Sequence, residues 1–419
     1  MKIVSDLYKN IRKSDYYKNQ FETDENKKNI LFLDPVMTSF DFYSMIVPFL
    51  SLEESGTVNT ALTGLYRYSE IDTKPPTRIM QSEIEWADAI VFPMSLEGYK
   101  IIIDEIREIN PDVKIIQTVE FDFYEIKNDH YLIEETEIIR ILKLRNKKVN
   151  QKGKKKQRDE LKAKIISRLE ENYSCADRLI VLNPNLVKKL TDKNFPDVRY
   201  LPIIISPEDF NENIDFMDTL GIKNTAKMVF VSVDLNDQTK NSFLQYITIF
   251  TQLKEKHNQN FRLVIMGDNP KKHFPKFDLE YDHLKKASII AHNKMIVKSS
   301  ADFHLVLNKK NEYSTNSENI YTYVDRGMYG IPVATLNVSP LNHMIDNNHN
   351  GFIMNTRSDL IKIVDTLMKD KSALIEMSTV LKASVYKNHK LSEETLDYLG
   401  SAFFDGYEEP TETNDLDEA

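Results

Sequence analysis

Residues 87–119 read ADAIVFPMSLEGYKIIIDEIREINPDVKIIQTV, and this stretch decides the fold class. ADAIVFP (87–93) is a short apolar run closed by proline, the pattern of a strand buried on both faces. In the following segment Tyr99, Ile102, Ile103, Ile106 and Ile109 recur at helical spacing. That stripe stops at Asn110-Pro111, because a residue before proline is pushed out of the helical region. VKIIQTV (113–119) then returns as a strand. A strand, a helix and a second strand in so few residues make a crossover unit, which puts the two strands parallel in one sheet.

Working outward, NILFLDP (29–35) reads as a strand before this unit. DRLIVL (177–182) follows it, then Asn183 as a helix cap with Pro184 in the first turn, and VRYLPI (198–203) as another strand. A second series begins with KMVFVSV (227–233), a helix over 241–257 and FRLVIMG (261–267). SIIAH (288–292) and FHLVL (303–307) read as further strands, followed by a helix over 318–329, the strand IPVAT (331–335), a helix near 340–346 and two helices over 357–388. Two alternating series predict an α/β chain of two Rossmann-like, doubly wound domains with a ligand cleft between them. The expected boundaries are an N-terminal extension at 1–28, a first domain at 29–205, a second domain at 206–388, a crossover helix at 389–404 and a disordered acidic tail at 405–419. Between 131 and 173 the helical pattern is too long for a routine crossover and reads as a basic insertion of two helices broken at Gly153.

Composition removes many alternatives. The chain has 419 residues, 41% hydrophobic and 28% charged, enough apolar material for two cores. Eleven glycines, none in a G-x-G pair, exclude the dinucleotide fingerprint, the Walker A loop and the nucleophile elbow. Cys175 is the lone cysteine, so no intrachain disulfide forms, and the nine histidines show no zinc spacing; no metal site and no cofactor are expected. The N-terminus has no apolar leader and no window matches a membrane span, which implies a cytoplasmic protein. Charge is uneven: the net is −9, yet residues 141–168 carry twelve Lys and Arg against Asp159 and Glu160. Three readings fit that segment: a solvated helical hairpin, a contact for DNA, or a contact for another anionic polymer or lipid headgroup, with Lys152, Lys154, Lys155 and Lys156 at its centre.

Several phrases carry a resemblance. ADRLIVLNPNLVKKL (176–190), VRYLPIIISPEDF (198–210), MVFVSVDLNDQTKN (228–241), FRLVIMGDNP (261–270) and the block ENIYTYVDRGMYGIPVATLNVSPLNHMIDNNHNGFIM (318–354) resemble GT-B glycosyltransferases of the retaining "group 1" type. The resemblance covers about 176–370, and the first 120 residues share only its layout. It implies transfer of a sugar from a nucleotide-diphosphate donor to an unknown acceptor, such as a cell-surface polymer or DNA, without metal. It also implies a donor site of Lys240, Glu318, Asn319 and Asp325. Lys240 and the N-terminus of the helix near 318 would meet the developing charge of the leaving diphosphate, and Asp325 would hold the ribose hydroxyls. Asp34 and Asp122, following strands of the first domain, are the acceptor-side carboxylates for a general base, alongside Asp41, Glu120 and His130; retention and inversion both remain open.

The departures from the family pattern are specific. An Arg about five residues before the Lys is replaced by Asp234-Leu235-Asn236, and the first Glu of a paired-Glu motif falls at Ser317. The glycine-rich acceptor loop is replaced by DPVMTSFDFYSMIVPF (34–49). These changes leave a non-catalytic GT-B scaffold as the alternative reading, and the Lys/Asn/Ile-rich composition fits a bacterial or phage source.

Overall fold

The computed structural model describes residues 27–33, 42–63, 81–95, 98–126, 151–195, 197–205, 228–236, 239–285, 296, 301–307, 318–338 and 340–404. The first sheet comprises β1 (Asn29–Leu33), β2 (Asn59–Thr63), β3 (Ala89–Phe92), β4 (Lys114–Val119), β5 (Arg178–Val181) and β6 (Val198–Tyr200), in the order β2-β1-β3-β4-β5-β6. The second comprises β7 (Val229–Leu235), β8 (Phe261–Gly267), β9 (Asp282–Lys285), β10 (Phe303–Leu305), β11 (Val333–Leu336) and β12 (Gly351–Met354), in the order β12-β11-β10-β7-β8-β9. Every pairing within both sheets is parallel. Parallel strands need crossovers on both faces, and the buried runs of β1, β3, β5 and β11 are the signature of strands covered on two sides.

The helices that matter for the cleft are α1 (Val47–Ser55), α2 (Gln81–Trp86), α3 (Lys100–Ile109), α4 (Gln151–Ser174), α5 (Pro184–Thr191), α6 (Lys240–His257), α7 (Pro270–His273) and α8 (Glu318–Met328). After them come α9 (Leu341–Met344), α10 (Asp359–Lys369), α11 (Ser372–His389) and α12 (Glu393–Phe403). Helix α3 shows why the periodic stripe predicts burial: Tyr99, Ile103 and Ile106 are buried, whereas Ile101, off the stripe, is 66% exposed.

Three differences from the sequence reading have physical causes. Gly153 does not break a helix; it lies in the first turn of the single helix α4, where a glycine costs only about 1 kcal/mol relative to alanine and the following run of good helix formers outweighs it. Strand β2 and helices α1 and α2 escape the sequence reading because NTALT carries only two large or small apolar residues in a row, with no alternation to register. An edge strand, β9, forms at DHLK, and the segment 288–292 lies outside the described residues. The chain at 1–26, residues 127–150 including the start of the basic segment, and the tail 405–419 also lie outside them.

Chain crossings join the two sheets. Ile205 N–H donates to the His389 carbonyl at 2.8 Å and Leu391 N–H to the Ile205 carbonyl at 3.0 Å, so the two connections run side by side as a short parallel bridge. Beyond it α12 packs on the first domain. Phe403 meets Phe32 edge-on at 5.5 Å, and Tyr398 donates to the Tyr200 carbonyl at 2.7 Å. Arg178, at the start of β5, donates to the carbonyls of Ala402 (2.8 Å) and Ser401 (3.4 Å) while pairing with Asp197 at 2.6 Å. A guanidinium at a helix C-terminus satisfies carbonyls that have no partner within the helix.

Candidate active site

The strand order of the second sheet reverses between β7 and β10, and the crevice at the carboxyl ends of such neighbours is where doubly wound sheets bind ligands. The register sets Ser232 beside His304, and their side chains meet at 2.9 Å from Ser232 Oγ to His304 Nδ1. His304 Nε2 lies 3.5 Å from Asp234 Oδ2, and the same carboxylate oxygen takes Arg326 Nη2 at 2.6 Å. Arg326 Nη1 is 3.9 Å from Asp325 Oδ2. A chain of polar groups therefore runs along the crevice from β7 and β10 to α8. Ser232, His304, Asp325 and Arg326 are all buried, and Asp234 is the member that opens toward the cleft, with its side chain 30% exposed.

The first domain reaches into this crevice. Phe42–Ile46 forms a π-helical turn leading into α1, and its Tyr43 donates a short hydrogen bond to Asp325 Oδ1. The Tyr43 ring also stacks on Tyr321, with centroids 5.8 Å apart and planes at 17°. Tyr321 and Asp325 are four residues apart on α8 and so share one face, which points at Tyr43. Tyr323, two residues from each, lies on the other side of the helix; burial pushes its hydroxyl up to about 12, so it stays a donor, to the Met344 carbonyl at 3.3 Å.

Two backbone devices fix the parts. Between β7 and α6, Thr239 Oγ1 donates to the Asp234 carbonyl at 2.8 Å and accepts from Asn236 N–H at 2.9 Å, while Asn236 Oδ1 accepts from Thr239 N–H at 2.8 Å. This clamp sets Lys240 as the first residue of α6, immediately after the strand end. On the other side, α8 lies against α11 at Gly327, where a Cβ would collide with Val385. The helix then ends at Gly330, whose φ of 65° is the left-handed conformation glycine adopts freely, and Ile331 N–H closes onto the Arg326 carbonyl at 3.0 Å. The Gly330-Ile331-Pro332 triplet thus turns the chain from helix into β11.

The residues expected from sequence distribute as follows. Lys240 and Asp325 stand at the crevice. Glu318 and Asn319 form the start of α8. Asp122 caps the short 3-10 turn Phe123–Glu125 by accepting from Tyr124 N–H at 3.1 Å, and its other oxygen accepts from Lys189 of α5 at 3.1 Å. Both its oxygens are therefore engaged. Asp34, Asp41 and His130 lie outside the described residues, and Lys152, Lys154, Lys155 and Lys156 fall in the first turns of α4. Tyr43, Asp234, His304 and Arg326 were not singled out as site residues. The signal for two of them was present: an acid stands where the family pattern has Arg, and an Arg stands beside Asp325.

Comparison with known proteins rests on structure. Neither a family model nor a curated sequence matches the chain. Solved structures do: a glycosyltransferase from Rickettsia africae has a TM-score of 0.58 at 11% identity, covering 91% of this chain and 100% of its own. Sucrose-phosphate synthase from Thermosynechococcus elongatus has a TM-score of 0.57 at 12% identity, covering 90% and 98%. Two parallel six-stranded sheets in these orders, superposing end to end on such chains, decide the architecture. The fold is GT-B. Within it, the Anabaena protein HepE, solved in complex with UDP-glucose, has a TM-score of 0.55 at 10% identity, covering 89% of this chain and 98% of its own. Among the described residues no helix is long and apolar enough to cross a membrane.

Proposed function

We propose that this GT-B chain is a glycosyltransferase that binds a nucleotide-diphosphate sugar in the crevice between β7 and β10 and passes the sugar to an acceptor held by the first sheet. The observation that carries the reading is the polar network Ser232–His304–Asp234–Arg326–Asp325 at the reversal of strand order, facing Tyr43 of the other domain. Lys240 and the first turn of α8, Glu318 and Asn319, would face the diphosphate, and Asp325 the ribose hydroxyls. The leaving diphosphate is stabilised by these fixed donors without a metal ion, which suits a retaining reaction governed by the donor side. Asp34 and Asp122 are the acceptor-side carboxylates; for Asp122 to accept a proton, Lys189 must move aside. The basic segment 141–168, with Lys152, Lys154, Lys155 and Lys156, would position a phosphate-rich acceptor such as DNA or an anionic cell-surface polymer.

A second reading has its own observation. Asp325 is 6% exposed beneath Tyr43, and an acid replaces the strand-end Arg, as a non-catalytic GT-B scaffold would tolerate. A thermal-shift panel of UDP-, GDP- and ADP-sugars separates the two, since a ligand bound only by the folded chain raises its melting temperature. The catalytic reading expects one nucleotide to stabilise the protein, and Lys240→Ala to weaken that binding by roughly 1.5–3 kcal/mol, the range for a hydrogen bond to a charged group. No stabilisation across the panel favours the scaffold.

A further inference from the structure

Among the described residues Arg326 is one of two arginines that count among the largest fully buried side chains, and it sits between two carboxylates, 2.6 Å from Asp234 and 3.9 Å from Asp325. Asp234 is the penultimate residue of the strand whose loop delivers Lys240, and that loop is tied to it through Thr239. Within the pair the Asp234 carboxylate is the exposed member and the Arg326 guanidinium is buried, so a polyanion docking at this strand end meets the acid with the guanidinium behind it. Like charges at such range repel strongly in a partly desolvated crevice. A cation one layer back cancels that repulsion, and it also stands within ion-pair range of the second oxygen of Asp325 while Tyr43 holds the first.

We propose that Arg326 is a positioning residue of the diphosphate site, acting through Asp234 and Asp325. It neutralises the strand-end acid so that a diphosphate can dock, and it orients the carboxylate offered to the ribose. The cation that serves the strand end is thus mounted on helix α8, and Asp234 and Arg326 work as one inverted pair. This inference rests on the donor-site reading above and names how that site keeps its charge balance.

Charge arithmetic then orders the variants. Arg326→Met uncovers the acid and weakens diphosphate binding. Asp234→Asn removes the repelling charge, leaves the guanidinium with one carboxylate fewer and tightens binding. The double variant restores the wild-type net charge and returns affinity near wild type. Arg326→Lys keeps the charge without the two-pronged reach and falls between wild type and Arg326→Met. A pair that merely supports the fold would lower thermal stability in both single variants and leave affinity unmoved.

The test is calorimetry with UDP and with inorganic pyrophosphate, at low salt and at 0.3 M salt, on wild type and these variants, with melting curves alongside. The expected result is a shift of about ten-fold in opposite directions for the two single variants, smaller at high salt because exposed charge is screened. Equal affinities, or shifts in the same direction, would overturn the role of Arg326 while leaving the donor site in place. If Arg326→Met fails to fold, Asp234→Asn decides alone: tighter binding supports the inference, and unchanged or weaker binding overturns it. A wild type that binds neither UDP nor pyrophosphate rejects the donor-site reading, and the inference falls with it.

Discussion

Among the described residues two arginines are wholly buried, one in each domain, and they do opposite things. Arg178 lies at the amino end of β5, away from the cleft. Its guanidinium is spent on Asp197 and on the last carbonyls of α12, tying the crossing helix to the first sheet. Arg326 lies at the carboxyl end of the second sheet, where strand order reverses, and its guanidinium is spent on the acids that line the crevice. The residue type and the burial are the same. The end of the sheet is what differs, and in doubly wound folds that end decides whether a buried charge meets protein or ligand.

The contrast can be broken most forcefully at Arg178. Replacing it with Met takes from Asp197 one of its two arginine partners, Arg199 remaining on the other oxygen, and leaves two helix-end carbonyls without this donor, so stability should fall by about 3–5 kcal/mol. Denaturant titration measures this, and calorimetry on the remaining folded protein should find nucleotide affinity unchanged. Loss of affinity without loss of stability would reverse the roles assigned to the two arginines.

A smaller effect is expected where α8 meets α11. Gly327→Ala forces a methyl group into Val385 and should cost about 1–3 kcal/mol through overpacking. Because Asp325 and Arg326 ride on the same helix, nucleotide affinity should fall too, unlike the Arg178 variant. A stability loss with full affinity would show that the site tolerates displacement of its helix.

The mildest effect concerns pH. His389 sits in the crossing, its Nδ1–H donating to the Ile203 carbonyl at 2.7 Å, and burial holds its pKa below the ordinary 6.5. The unfolded chain therefore takes up this proton more readily than the folded one. The stabilising contribution is complete above about pH 6.5 and declines as pH falls below it toward the depressed folded value. His389→Asn, which keeps a donor for that carbonyl, should remove this part of the pH dependence in urea titrations at pH 5 to 7.5.

What could be read from sequence follows from periodicity. Strands buried on both faces, such as IVF in β3 and RLIV in β5, announce themselves as apolar runs, and the α3 stripe marks its buried face; hence two parallel-sheet domains were legible from periodicity, while the GT-B family came from the resemblance of the quoted motifs. Lys240 and Asp325 could be proposed from sequence because the family resemblance aligns the phrases that contain them. The network could not be proposed that way. Tyr43 meets Asp325 across 282 residues of chain, and Ser232 meets His304 only because β7 and β10, far apart in sequence, are neighbours in the sheet. Pairings of that kind come from topology, and no local spacing encodes them. Asp122 shows what a strand-end position leaves out: a turn N–H and a lysine from another helix contact its two oxygens.

The central claim is that the crevice between β7 and β10 receives a nucleoside diphosphate. A crystal structure of the chain with bound UDP tests it directly. The account predicts the diphosphate at the carboxyl ends of β7 and β10, against the first turns of α6 and α8, with the ribose hydroxyls on Asp325 and the Tyr43 phenol drawn away or sharing that carboxylate. Nucleotide bound at the edge of the first sheet instead, or a crevice still closed by Tyr43 on Asp325 at saturating UDP, would contradict it.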